Sequence, residues 1–179
     1  QGYPMSVTLE RVRNGLTMAR KRLSPRRQLA MTLALEHFTA IMAHQFLSEP
    51  ALSEQMHPEL RELFVWHAVE ETEHKAVAFD VYKAVGGSEF VRITEMMAVS
   101  VMFPLFTAIH LTQLMKEEGQ LGNLKSWAGL GKYLFGTPGV IRKLMPSYLK
   151  YYRRDFHPWK TDSRSLVEKA KKKWLGSWA

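Results

Sequence analysis

Five side chains in the first half of the chain have the types and spacing for metal chemistry. His67, Glu70, Glu71 and His74 recur at helical intervals, and at ~100° per residue they fall within an arc of about 100°. Leu63, Ala78 and Val81 lie in the same arc above and below them, whereas Glu73 and Lys75 point away and are expected in solvent. Adjacent carboxylates on an apolar stripe cost several kcal/mol each when buried without a counter-charge. A divalent cation removes that cost, and Glu and His are suitable ligands for iron, manganese or zinc.

Glu71 and His74 form a Glu-x-x-His pair, the i, i+3 arrangement of ferritin-like di-iron helices. The fifth residue, Glu36, lies on another helical face with Leu29, Leu33, Ala40, Ala43 and Leu47. The small Ala40 and Ala43 beside it leave room for an ion. Glu36, Glu71 and His74 are therefore the expected metal ligands, on helices expected to pack antiparallel. Glu70 and His67 are the expected catalytic positions, for moving protons or orienting a ligand. The competing reading is structural, with Glu36 and Glu71 pairing to buried Arg or His. His37 and His44 lie to one side of Glu36 and suit helix–helix hydrogen bonds. Asp80 is a candidate outer partner for a histidine.

The elements that must position these residues are helices, with almost no strand signal. An amphipathic helix spans residues 5–22, and Ser24-Pro25 breaks it, because proline disfavours helical backbone in the residue before it. A second helix covers 26–47 and stops at Pro50. Pro58 suits the first turn of a long third helix reaching Gly86-Gly87. Ser88 caps a fourth that runs to Glu118 and ends at Gly119. Beyond it Gly and Pro punctuate the chain, and a last polar helix is expected over 162–175. The expected fold class is all-α: a long-helix bundle over residues 1–119 carrying the site motifs, and a basic, aromatic-rich helical extension over 120–179.

Charge separates these two parts. Residues 1–119 hold 12 basic and 14 acidic side chains, while 120–179 hold 13 basic and 3 acidic ones. Such a tail favours anionic partners. Its mixture of cations with Tyr151, Tyr152, Phe156, Trp174 and Trp178 suits peripheral contact with a membrane. No recognition-helix, RRM or KH signature supports nucleic acid. Residues 96–115 contain no Lys, Arg, Asp or Glu, long enough to cross a hydrocarbon core. Pro104, Thr107, His110, Thr112 and Gln113 argue instead for a bundle helix packed all round. A third reading makes Met96, Met97, Met102, Phe103 and Phe106 a channel for an apolar substrate. With no cysteine, disulfides, thiolate metal sites and a Cys nucleophile are excluded. The expected location is the cytoplasm, with membrane association through the tail.

Several segments resemble the predicted metal-dependent hydrolase family of bacteria. They are Ala34-Leu35-Glu36-His37-Phe38-Thr39-Ala40, Trp66-His67-Ala68, Glu70-Glu71, Glu73-His74-Lys75, Val77-Ala78-Phe79-Asp80-Val81-Tyr82 and Phe156-His157-Pro158-Trp159. The resemblance implies a ferritin-like helical domain with Glu36, Glu71 and His74 as ligands and Glu70 and His67 as accessory positions. Members of that family are longer and carry further acidic and His motifs towards the N-terminus, whereas residues 1–22 supply only Glu10. The expectation is thus a C-terminal portion whose two-ion site is completed by missing helices or by a second copy, its carboxylates open to solvent in the monomer. Three functions follow from these readings. One is metal-dependent hydrolysis, one is O₂ activation by a di-iron centre, and one is a non-catalytic helical module docking on membranes.

Overall fold

The structure, a computed structural model, describes residues 5–176; Trp178 of the basic tail lies outside them. Helices and turns, and no strand, occur among the described residues. They are α1 (Met5–Arg22), α2 (Pro25–Ser48), α3 (Pro50–Glu54), α4 (Pro58–His74), α5 (Val77–Ala84), α6 (Glu89–Glu117), α7 (Leu124–Phe135), α8 (Val140–Lys150) and α9 (Arg164–Ala170). Ser24 caps α2 by accepting from the Arg27 amide, with Pro25 in the first turn. Ser88 does the same for α6 through the Val91 amide. These caps satisfy amides that have no partner within the helix.

Helix α2 is the central element. Against it α4 runs antiparallel, with Phe46 and Leu47 packed beside Val65 and Val69. Helix α6 runs parallel to α2, since Arg27 Nε meets Glu95 Oε1 at 2.5 Å at one level and Phe38 stacks on Phe103 further along. Helix α8 lies antiparallel, with Lys143 paired to Glu49 and Tyr148 against Phe38. The main core collects Leu33 and Ala34 from α2, Phe79 and Tyr82 from α5, Met96 and Val99 from α6, and Tyr151. Each large apolar side chain buried there contributes about 1.5–3 kcal/mol. Gly87 is required by this packing, because a Cβ at that position would lie 2.2 Å from the Tyr82 ring.

Three expectations are corrected here. The long third helix is two helices, broken at Lys75 and Ala76. No Gly or Pro causes the break. Lys75 is buried rather than solvent-facing, and its Nζ donates to the Thr161 carbonyl at 2.5 Å and sits over the Trp159 ring at 4.6 Å.

The second correction concerns α6. It is long and apolar enough to cross a membrane by length and composition, a test that core helices also pass, yet only 6% of its apolar window is buried. Met96 and Val99 enter the core, while Val101, Met102, Leu105, Ile109 and Leu114 are exposed. The helix is therefore not packed all round. The third correction follows from the second, since Met97 and Met102 are exposed and Met96 is core, so these residues do not enclose a channel.

The basic extension is tied into the bundle. Lys171 pairs with Glu73 at 2.9 Å, Lys173 with Glu54 at 3.1 Å, and the Arg61 guanidinium lies 5.0 Å from the Trp174 ring. Part of the positive charge of residues 120–179 thus neutralises acids of the first half.

Candidate functional site

Val65, Ala68, Val69 and Thr72 are the α4 residues turned into the bundle. The charged stripe lies beside them, at the rim of the α2–α4 interface. Its outer members are open: Leu63 and Val81 are exposed, which departs from the expected apolar interior around the charges. His67 and His74 have exposed side chains, whereas the Glu71 side chain retains only 21% exposure. Each imidazole pairs with the carboxylate one turn away. His67 Nε2 lies 3.5 Å from Glu71 Oε1, and His74 Nε2 lies 3.7 Å from Glu70 Oε2.

Across the interface, Glu36 on α2 belongs to the same electrostatic neighbourhood. Burial pushes its carboxyl above the usual range, the charge of Glu71 pushes the same way, and His74 acts against them. Two carboxylates and an imidazole from antiparallel helices therefore influence one another, and a cation would relieve the carboxylate repulsion.

Adjoining this face is a cavity of about 440 Å³ between α2, α4 and α7. Met42, Ala43, Phe46, Met56 and Phe64 form its apolar lining, and His67 and Glu71 stand in its wall. That volume falls in the range of small-molecule sites. Gln45 also lines it.

The remaining candidates have structural partners. His157 Nε2 lies 3.1 Å from Asp80 Oδ1, so Asp80 does pair with a histidine. His44 Nδ1 lies 2.8 Å from Ser163 Oγ. His37 is buried against the Tyr151 and Phe156 rings.

Fold and site define a helical-bundle protein with carboxylate and imidazole donors along a two-helix rim, opening on an apolar cavity. A family model described as predicted metal-dependent hydrolase matches residues 1–162, and the chain belongs to that family. No curated protein and no solved structure matches the chain. The family's description implies a metal. The donor types at Glu36, Glu71 and His74 suit one. Among the described residues, however, no group of three or more His, Asp or Glu side chains is positioned to hold an ion.

Proposed function

We propose that the α2–α4 rim is one half of a ferritin-like di-metal site serving a metal-dependent hydrolase, with Glu36, Glu71 and His74 as the ligands this chain contributes. The observation that carries the reading is the family match over residues 1–162, and the mutual influence of Glu36, Glu71 and His74 supports the choice of ligands. The remaining donors come from outside the described residues, by additional helices or a second copy. The bound ions, iron by donor type with manganese or zinc as alternatives, supply Lewis acidity for hydrolysis, and the same donor set with iron also suits O₂ chemistry. Glu70 and His67 handle protons: His67 orients Glu71 from the cavity side, and Glu70 holds the His74 imidazole. The apolar cavity beside them takes a small apolar substrate.

Anaerobic titration with ferrous ion tests this. The described chain is expected to bind weakly as a monomer, and Glu71→Ala and His74→Ala should each weaken binding at least about tenfold. Glu73→Ala, on the face turned away, should leave it unchanged. Equal losses in all three variants, or tight binding of two ions by the monomer, would overturn the half-site.

A second reading is favoured by one observation, the exposed apolar side chains of α6 over 101–114, which Lys116, Lys125 and Lys132 follow in the sequence. They suit peripheral docking on an anionic bilayer. The protein should co-sediment with phosphatidylserine vesicles, less so with neutral ones, and release in high salt. Sedimentation equal on both lipids would remove the electrostatic part of this reading, and none on either would remove it altogether.

A further inference from the structure

We infer that α1 is a docking helix for a helix of another protein, one whose own apolar seam is flanked by acidic side chains. The inference is independent of the α2–α4 rim and its metal.

The seam is written in the spacing. Leu9, Val12, Leu16 and Ala19 recur at alternating intervals of three and four residues, the pattern by which two helices interlock side chains along a narrow line. Ala19, near the junction with α2, is half-buried. Towards the start of the helix the line comes free: Leu9 and Leu16 are 59% and 60% exposed, and Val12 is 37% exposed. On the face turned away from the seam, Arg11 Nη1 donates to Gln113 Oε1 at 3.1 Å, so α1 is steadied against α6 without covering these residues.

The charges beside the seam choose the partner. With Leu9 and Leu16 at a positions and Val12 and Ala19 at d positions, the flanking e and g positions from Leu9 onward hold Arg13, Gly15, Arg20 and Arg22. The acid of α1, Glu10, falls outside them. All three arginines are exposed, and among the described residues no carboxylate pairs with them. Flanking charges of this kind set which helices pair, and like charges brought together there are costly. A second copy of α1 laid on the seam would bring further arginines and no acid to its flanks, which opposes self-pairing. A facing helix with Glu at its own e and g positions meets the arginines in either direction. A bilayer fits less well. An interfacial helix lays a broad apolar face into lipid, often with Trp or Phe. Here Arg13 and Arg20 close directly on a narrow stripe, and α1 contains no aromatic residue.

The test uses the protein and two labelled synthetic helical peptides with Leu at every a and d position, one with Glu and the other with Lys at e and g. Fluorescence anisotropy should show the Glu peptide binding at least about tenfold more tightly than the Lys peptide. Leu9→Gln combined with Leu16→Gln should abolish that binding. Both positions are exposed, so an unchanged circular dichroism spectrum is expected and checks that the fold is kept. Arg13→Glu combined with Arg20→Glu should turn the preference round in favour of the Lys peptide, which a merely adhesive surface would not do. Equal binding of the two peptides, binding of neither, or a preference unchanged by the charge reversal would overturn the proposal. So would Leu16-dependent binding to phosphatidylserine vesicles, or Leu16-dependent self-association in sedimentation velocity, in place of peptide binding, since either would assign the seam to a different occupant.

Discussion

An Arg92→Met variant is expected to lose about 3–5 kcal/mol of folding stability, most of it because two carbonyls are left without their donor at about 1–3 kcal/mol each. Arg92 is fully buried. Its guanidinium holds Glu89 Oε2 at 2.6 and 3.0 Å, donates to the Arg153 carbonyl at 3.1 Å and also to the Tyr151 carbonyl. The Tyr151 and Phe156 rings cover it, at 4.6 and 5.4 Å. Methionine fills much of the same space but donates nothing, so two carbonyls lose their donor and Glu89 loses its counter-charge. Small domains have only about 5–15 kcal/mol to lose. Urea denaturation should show the midpoint fall with little change in slope, while Glu89→Gln, at a position that water reaches, costs less. A loss under about 1 kcal/mol for Arg92→Met would contradict this account of the core.

Acid is expected to unfold the protein partly through one histidine. Burial lowers the His37 pKa to about 4 from its ordinary 6.5; a hydrogen bond to the Ser147 backbone raises it and the charge of Arg92 lowers it further. Above pH 6.5 the imidazole is neutral in both the folded and the unfolded chain. Between about 6.5 and about 4 the unfolded chain binds a proton that the folded one refuses, so stability falls as the pH falls. Across that window the loss is about 3 kcal/mol. His44 works in the same direction, its pKa lowered by burial and then by Lys75 and Lys150. Stability of His37→Gln should be much less steep in pH over this window than that of the wild type. Parallel pH profiles for the two proteins would refute the assignment.

Much of the helical frame was legible because its signals are local. Ser24-Pro25, Pro50, Pro58 and Ser88 each act within one turn, and the helix boundaries they mark agree with the structure to within a residue or two. The inward turn of Lys75 was not legible, since its partners Thr161 and Trp159 lie more than eighty residues away. Periodicity brought Glu36, Glu71 and His74 forward as a group, but it set their stripe inside the bundle. The inward face of α4 is instead the one with Val65, Ala68, Val69 and Thr72, and on a helix this mixed the two faces differ by little apolar content. Composition likewise made 96–115 a hydrophobic helix without saying what would cover it.

The ties between the last stretch of chain and α4 also bear on how the protein is made. Lys75 reaches Thr161, Glu73 reaches Lys171, and Arg61 lies over Trp174. Residues 61–75 leave the ribosome long before 161–174 exist, so throughout that interval the helix bearing the candidate ligands lacks the braces that hold its outer side. Loop closure over such separations is slow compared with forming the helix itself. Helices α2 and α4 can pair early, but the outer side of the site-bearing helix gains its braces only once residues 161–174 have emerged. A nascent chain stalled before Thr161 would carry the candidate ligands on a helix whose outer side still lacks Thr161, Lys171 and Trp174.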